Sequence, residues 1–338
     1  MRHANDRASV GWTWPTISRI TARRPVGRAH PTIRTLLRLA MLAAFLAKPT
    51  IAGAKLFVVT TTPDLAAIAR EVGGDKVEVE SLALGTQDAH FVDAKPSFIV
   101  KLNRADLYVK RGLDLEVGWA PVLEKGARNA NVLLGGVGYV DASTGLSPLE
   151  VPGAVSREMG DVHPAGNPHY QLDPANATIV ARNIVEGLAR VDVAHRSYYE
   201  QRLVDFSHRI DERLAGWRQA LTAYRGTKIV TYHKSWDYFA ARFGLEIIGT
   251  MEPKPGVAPS PAHLAQLITL MQAAHCRLII KEPFYPENLT HLVADKTGAT
   301  VLVLPDAPGG APGTDDYFSF IDYDVQQVAT ALAAAKAP

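Results

Sequence analysis

The sequence predicts an α/β protein of two lobes, each with a mainly parallel sheet flanked by helices, joined by one long rigid helix. Strand-like and helix-like segments alternate from residue 55 onward, the pattern of parallel sheets with helices on both faces. One stretch of about 30 residues without proline, 192–223, interrupts the alternation, which then resumes. The predicted organisation is an N-terminal leader (1–54), an N-terminal lobe (55–190), a linking helix (191–223) and a C-terminal lobe (224–338).

Proline marks the start of helices in the N-terminal lobe. The run KLFVVTT at 55–61 is continuously β-rich, and Pro63 follows at the first turn of a helix, where its missing N–H costs little. The predicted elements of this lobe are strands 55–61, 77–82, 106–110 and 132–134, helices 63–72 and 96–104, and a helical stretch from Pro174.

Aromatic and aliphatic residues recur at spacings of three or four through the linking segment. They are Tyr199, Leu203, Phe206, Ile210, Leu214, Trp217 and Leu221. This pattern is typical of one amphipathic helix of about 45 Å. A coiled-coil dimer is the alternative interpretation, but aromatic residues fill the repeat and the pattern is brief. We therefore expect a monomer.

The C-terminal lobe repeats the alternation of the first. Its predicted elements are strands 228–232, 246–251, 278–281 and 300–304 and helices 235–243, 261–274, 286–298 and 323–335. No internal repeat is visible in the residues, although the two lobes share a plan.

Charge is unevenly distributed along the 338 residues. The leader holds nine Lys or Arg residues against one acid, Asp6, whereas the rest of the chain holds 27 basic and 33 acidic residues. A nucleic-acid-binding protein is expected to carry a basic face. The mildly acidic body of the chain argues against that class.

The leader has the three parts of a secretory signal peptide. A basic segment precedes the short apolar stretch 36–47, and Ala52, Gly53 and Ala54 then supply small residues for cleavage. The apolar stretch is too short for a membrane anchor. We expect a protein that is soluble in a periplasm after cleavage near Ala54. No cysteine lies at the cleavage site, so we expect no lipid anchor there.

The single cysteine, Cys276, also excludes a disulfide framework and a cysteine-rich zinc site. Histidine and carboxylate side chains are the remaining candidates for metal chemistry. Open parallel sheets place ligands at the carboxyl ends of their strands. Four candidate side chains lie in loops at that edge, two from each lobe: His90, His169, His233 and Asp306. A cleft between the lobes would bring them together.

Three imidazoles and one carboxylate form a suitable ligand set for Zn²⁺, which takes four such ligands in a tetrahedron. Four protein ligands leave no open position for a reacting water molecule. The predicted site therefore holds a metal ion rather than using it, and we expect no enzyme activity. Manganese prefers more oxygen ligands, so Mn²⁺ is the less favoured ion.

Five motifs carry a resemblance to a known family. They are TTPD at 61–64, DAH at 88–90 with KPS at 95–97, NPHYQLDP at 167–174, YHKSWDYFA at 232–240 and MEPKPGVAPSP at 251–261. Together they resemble the zinc/manganese-type (cluster A-I) solute-binding proteins of metal ABC importers. The resemblance covers about 55–335.

The resemblance implies two α/β lobes bridged by one long helix, with Zn²⁺ or Mn²⁺ bound between them as the transported ion. It also implies an ABC importer permease and its ATPase as partners. His90, His169 and His233 occupy the family's three nitrogen positions, and Asp306 its late carboxylate. Members with histidine at the third position resemble zinc carriers, whereas manganese-type members tend to have glutamate there.

The chain departs from the family pattern in two places. Ala89 stands where many relatives have proline, and the residues around Asp306 match only loosely. Glu282 is the competing carboxylate, for which we expect a structural or ligand-orienting role, and His163 is a candidate auxiliary ligand. The other histidines beyond the leader, at 195, 208, 263, 275 and 291, are expected to be ordinary.

Three alternative functions stay open from the sequence. The first is a binding protein for manganese. The second is a binding protein for an organic metal chelate, with Trp236, Phe284 and Tyr285 lining its cleft. The third is a zinc hydrolase, which is disfavoured because the chain has neither an H-E-x-x-H motif nor a G-x-S-x-G elbow.

Overall fold

The computed structural model describes residues 54–153 and 163–336. All of the predicted leader except Ala54 lies outside the described residues, so the signal peptide stays a prediction. Among the described residues, no helix is both long enough and apolar enough to cross a membrane.

The first sheet has four parallel strands in the order β2-β1-β3-β4 within the described residues. The strands are β1 (Leu56–Thr60), β2 (Val77–Ser81), β3 (Leu107–Lys110) and β4 (Tyr139–Asp141). Three helices accompany them: α1 (Pro63–Gly73), α2 (Pro96–Arg104) and α3 (Ala120–Ala127). Helix α3 was not predicted from the sequence.

The strand predicted at 132–134 is wrong. Ala130–Val132 form a 3-10 turn, which is held by the Asn129 side chain accepting a hydrogen bond from the Asn131 N–H at 3.2 Å. The fourth strand is β4, which starts after Gly138. A short side chain that bonds the backbone locally favours a turn over a ladder, and this outweighed the β-rich composition.

Two helices connect the lobes: α4 (Pro174–Val191) and α5 (Arg196–Leu221). Helix α5 is shorter at both ends than the predicted 192–223, because 3-10 turns flank it. The Asp192 carboxylate accepts hydrogen bonds from His195 Nδ1 at 2.7 Å and from the Tyr199 hydroxyl at 2.8 Å. These bonds hold Asp192 outside the helix.

The apolar stripe of α5 is buried within the chain. Six of its seven predicted residues are buried, and Leu203 is partly buried. They share one core with residues of both sheets, including Val58 of β1 and Ile229 of the second sheet. The surface that a coiled coil would use is therefore covered by this chain itself.

The second sheet also has four parallel strands within the described residues, in the order β6-β5-β7-β8. The strands are β5 (Lys228–Thr231), β6 (Glu246–Thr250), β7 (Leu278–Lys281) and β8 (Thr300–Val303). The helices are α6 (Asp237–Phe243), α7 (Pro261–Ala273), α8 (Glu287–Thr297) and α9 (Tyr317–Lys336). The two sheets share one topological plan, which confirms the predicted fold class.

Helix α9 begins six residues before the predicted start at 323. Asp316 precedes it, and its carboxylate accepts hydrogen bonds from the backbone N–H groups of Phe318 at 2.8 Å and Ser319 at 2.9 Å. These bonds satisfy donors that the first turn leaves free. Tyr317, which opens the helix, is fully buried and hydrogen-bonded to the carbonyl of Gln171 at 2.8 Å.

Candidate metal centre

Three of the four predicted ligands converge. His90, His169 and His233 each offer a ring nitrogen, and these nitrogens lie within 4.8 Å of one another. The ring centroids are 5.1 Å (His90–His169), 5.3 Å (His90–His233) and 5.2 Å (His169–His233) apart. Nitrogen ligands of a tetrahedral zinc ion lie ~3.3 Å apart. The imidazoles are therefore close to the spacing that one ion requires.

Each histidine is positioned by the carboxyl edge of a sheet or by the start of a helix. His90 lies in the loop after β2, and His233 lies two residues after β5, with its carbonyl accepting from Thr231 Oγ1 at 2.8 Å. His169 immediately precedes the 3-10 turn Tyr170–Leu172 that leads into α4. Its backbone N–H donates to Asn167 Oδ1 at 2.9 Å.

Two carboxylates orient two of the imidazoles. His90 Nδ1 donates to Asp88 Oδ1 at 2.8 Å, and His233 Nδ1 donates to Glu252 Oε2 at 2.7 Å. A carboxylate accepts only, so each Nδ1 carries the proton and each Nε2 keeps its lone pair. Carboxylate–histidine pairs of this kind are usual beside bound metals. Neither of these two carboxylates was identified from the sequence.

Glu252 was recognisable in principle, because it comes two residues after β6 at the edge that carries His233. Asp88 stands two residues before His90 in the DAH motif.

One ring nitrogen of His169 is buried and lacks a hydrogen-bond partner among the described residues. His169 is 5 % exposed, and its Nε2 is buried without a hydrogen-bond partner in the described part of the chain. Burial lowers the pKa of His169 well below 6.5, and the nearby imidazoles of His90 and His233 lower it further. The ring is therefore neutral near pH 7, as a metal ligand must be. A cation bound between the imidazoles would satisfy this nitrogen.

Asp306 lies outside this group of three. It follows β8 as predicted and is buried, but its carboxylate is not among the atoms that converge. Burial raises the pKa of Asp306 to about 8, and the neighbouring carboxylates of Glu282 and Asp88 contribute. Its backbone carbonyl accepts from Gln171 Nε2 at 2.9 Å.

His163 reaches the edge of the site. Its Nε2 lies 3.2 Å from His90 Nε2, and the two ring centroids are 5.2 Å apart. Burial and the imidazoles of His90 and His233 lower the pKa of His163 to about 4. The side chain expected to be at most an auxiliary ligand is thus within ligand spacing of one member of the group.

Glu282, the competing carboxylate, lies outside the group of three. It is fully buried, its Oε1 accepts from Trp236 Nε1 at 3.2 Å, and its Oε2 has no partner among the described residues. Burial raises its pKa to about 8.

A buried arginine of the N-terminal lobe is linked through Gln171 to Asp306 of the C-terminal lobe. Arg111, just after β3, forms an ion pair with Asp64 of α1 and donates to Thr62 Oγ1 at 3.0 Å. It also donates to the side-chain oxygen of Gln171, whose amide nitrogen bonds the Asp306 carbonyl. Nothing in the residue order near Arg111 indicates its partners, so this network could not be predicted from the sequence.

Comparison with known proteins places this arrangement in context. The model of the family described as zinc-uptake complex component A, periplasmic (ZnuA) matches residues 58–331. The manganese ABC transporter substrate-binding lipoprotein PsaA of Streptococcus pneumoniae is 25% identical over 295 residues, covering 85% of this chain and 92% of that protein. The high-affinity zinc uptake system protein ZnuA of Bacillus subtilis is 25% identical over 261 residues, covering 76% and 80%.

A solved structure of a ZnuA protein has a similar fold. A crystal structure of ZnuA superimposes with a TM-score of 0.70 at 26% sequence identity, covering 82% of this chain and 99% of that one. The family match spans most of the chain and both of its lobes. The resemblance read from the motifs is confirmed: this chain belongs to the ZnuA family of metal ABC transporter substrate-binding proteins.

Proposed function

We propose that this protein captures a divalent metal ion, Zn²⁺, between its two lobes and delivers it to the permease of an ABC importer driven by a separate ATPase. The observation that carries the proposal is the convergence of three histidine nitrogens within 4.8 Å. Family membership supports the role in transport, because the relative PsaA is named as the substrate-binding lipoprotein of a manganese ABC transporter.

The ligand chemistry favours zinc over manganese. Three imidazole nitrogens suit Zn²⁺, whereas Mn²⁺ is better served by oxygen. His233 supplies a nitrogen ligand at the third position. Glu252 does not supply an oxygen there, because its carboxylate accepts a hydrogen bond from His233 Nδ1. Relatives are named for both metals, so the choice of zinc is our inference from the side chains.

The choice between zinc and manganese is tested by competition. Metal-free protein is offered equal concentrations of both ions, and the bound metal is measured by elemental analysis after desalting. We expect one zinc per chain and little manganese, while one bound manganese per chain would contradict the proposal.

The contribution of the third imidazole is tested with His233→Ala. Loss of one of three nitrogens should abolish stoichiometric zinc retention, because the remaining ligands cannot complete the tetrahedron. The matched control is His208→Ala, since His208 is 72% exposed on α5. Stoichiometric zinc in His233→Ala would remove this residue from the site.

The fourth ligand is either Asp306 or His163. We retain Asp306 as the proposed ligand from the C-terminal lobe, which would have to approach the group of three when metal binds. His163 is favoured by its 3.2 Å distance from His90 Nε2. Asp306→Asn and His163→Asn distinguish them, because substitution of the true ligand should lower zinc affinity by far more than substitution of the other residue. X-ray absorption then counts the nitrogen and oxygen neighbours of zinc.

Two of the three residues proposed to line a cleft for an organic chelate are packed against other parts of the protein. Trp236 is fully buried, and the ring of Tyr285 stacks on Tyr232 at 4.2 Å between centroids. Tight binding of the bare ion in the competition experiment would exclude a receptor that needs an organic chelate. Export to the periplasm and the monomeric state stay predictions of the sequence.

A further inference from the structure

We propose that a contact between bare glycine backbones of the two lobes sets how closely the lobes approach, and thereby positions His90 for metal. We call it the glycine contact: Gly85 of the N-terminal lobe against residues 308–310 of the C-terminal lobe. The inference rests on the proposed function, since it assigns Gly85 and Gly310 as positioning residues for the metal centre.

Neither glycine leaves room for a side chain. A methyl group placed on Gly85 would overlap the carbonyl oxygen of Pro308 and would lie 2.6 Å from both the Gly309 carbonyl carbon and the Gly310 nitrogen. A methyl group placed on Gly310 would lie 2.5 Å from the Gly85 carbonyl oxygen and 2.6 Å from Pro305 Cβ. The obstacles are mostly backbone atoms of the opposite lobe, which cannot rotate away as a flexible side chain would.

Backbone conformation does not explain these glycines. Gly85 and Gly310 are absent from the described residues with positive φ, whereas the neighbouring Gly309 has a φ of 75°. Alanine could adopt the backbone of either position. Glycine is needed at these two positions for close approach of chain to chain, which is one of its specific uses.

The contact lies beside metal-site residues on both sides. Gly85 is five residues before His90 in the same loop, and Gly310 is four residues after Asp306. The start of the first loop is fixed to β1, because the N–H groups of Leu82 and Ala83 donate to the carbonyls of Thr60 and Thr61 at 2.9 and 3.0 Å. A displacement at Gly85 would therefore be transmitted to the short segment carrying His90.

The second loop is equally constrained. The Gly310 N–H donates to the Ala307 carbonyl at 3.2 Å, and the Gly309 N–H donates to the Thr314 carbonyl at 2.6 Å. Thr314 is fully buried, and its Oγ1 donates to the Ala311 carbonyl at 2.7 Å. The two constrained loops are in backbone contact, and this contact limits how closely the lobes approach. An added methyl group must therefore separate the loops.

The test uses Gly85→Ala and, from the opposite lobe, Gly310→Ala, with Gly216→Ala as the control. Gly216 lies in α5, and a methyl group there meets nothing within 4 Å. We expect each alanine substitution in the glycine contact to lower zinc affinity about 10- to 100-fold, the range found when a residue that orients a metal ligand is changed. The control should bind zinc as the wild type does.

Two further readouts separate positioning from general destabilisation. Spin labels on Val100→Cys and Leu292→Cys, exposed sites on α2 and α8, report the distance between lobes without metal. X-ray absorption reports the nitrogen neighbours of bound zinc. We expect a longer label distance and one fewer nitrogen neighbour in both alanine variants. The two variants arise in different lobes, so the readouts still apply if one of them fails to fold.

An alanine variant that is less stable but keeps the wild-type affinity and label distance would overturn the proposal. Wild-type protein that binds no metal would instead overturn the proposed function. In that case the label distance in metal-free protein still tests whether the glycine contact sets the spacing of the lobes.

Discussion

The imidazoles of His90 and His233 each donate one ring N–H to a carboxylate, from Asp88 and Glu252 respectively. This fixes which nitrogen faces the centre of the site and makes the ring a stronger donor to a metal. Glu252 is also held in place, because its Oε2 accepts from the backbone N–H of Gly256 at 3.2 Å. The orientation of His233 is therefore built into the C-terminal lobe before metal binds.

Replacing Glu252 by glutamine should weaken zinc binding by about 10- to 100-fold. Glutamine keeps the size and one acceptor oxygen but removes the negative charge that supports the imidazole. Competition against a chelator of known affinity measures the effect. The matched control is Glu246→Gln, an exposed position on β6, which should bind as the wild type does. Equal affinities in the two variants would refute the role given to Glu252.

Acid should destabilise the metal-free protein through His169. Burial lowers the pKa of His169 in the folded state, whereas in the unfolded chain it is ~6.5. Below about pH 6.5 the unfolded chain therefore binds more protons than the folded one, and the free energy of unfolding falls as pH falls. Urea unfolding at pH 7.5 and 5.5 measures the loss, which His169→Asn should reduce. An unchanged loss in that variant would contradict the assignment.

The three converging histidines were predictable because each lies in a loop after a strand or before a helix, and such positions are visible in the residue order. Their partners were not. Asp88, Glu252 and Arg111 act through contacts that form only when distant segments pack, and nothing in the local sequence distinguishes them from other polar loop residues.

At the scale of elements, two helical glycines differ in their surroundings. Gly187 lies in α4, and a methyl group there would overlap a methyl of Val140 and lie 3.0 Å from Leu107 Cδ1 of β3. The close packing of α4 on the first sheet depends on this missing side chain. Gly216 of α5 faces open space.

Alanine substitutions at these two positions should have opposite effects. Gly187→Ala should lower the free energy of unfolding by about 1–3 kcal/mol, because overpacking outweighs the gain in helix propensity. Gly216→Ala should raise it by about 0.5–1 kcal/mol, because alanine is the better helix former and meets no neighbour. Denaturant unfolding measures both. Stabilisation by Gly187→Ala would show that α4 packs differently.

Most strands and helices could be predicted from composition and from proline and glycine borders. Three of the failures occurred where a local side-chain bond decided the outcome. Asn129 holds a turn where a strand was expected, Asp192 delays the start of the linking helix, and Asp316 starts α9 early. Such bonds depend on backbone geometry, which hydrophobic periodicity does not report.

For the molecule as a whole, the buried stripe of α5 lies in one core with both sheets. Hydrogen bonds also cross between the lobes near the site, among them Gln171 to Asp306 and Tyr317 to Gln171. A helix embedded in both lobes resists wide bending, and the interlobe bonds restrain the lobes further. Metal binding should therefore produce local changes.

Small-angle X-ray scattering tests this expectation. The radius of gyration should be on the order of 20 Å with and without zinc, as for a compact chain of this size. A clear compaction on adding zinc would show instead that the lobes close by a hinge movement, and that α5 does not restrain them.

The two-lobe plan and the family were both predictable at this scale, because the interrupted alternation runs through both lobes and the five motifs are spread over residues 61–261. The exact closeness of the lobes was not, since the approach of Gly85 to Gly310 joins positions that are far apart in the sequence.

Anomalous diffraction at the zinc edge, from crystals of protein loaded with one equivalent of Zn²⁺, tests the central claim most directly. We predict a single peak bonded to Nε2 of His90, His169 and His233 at ~2.0–2.1 Å. Zinc found elsewhere, with these three imidazoles free, would contradict the account.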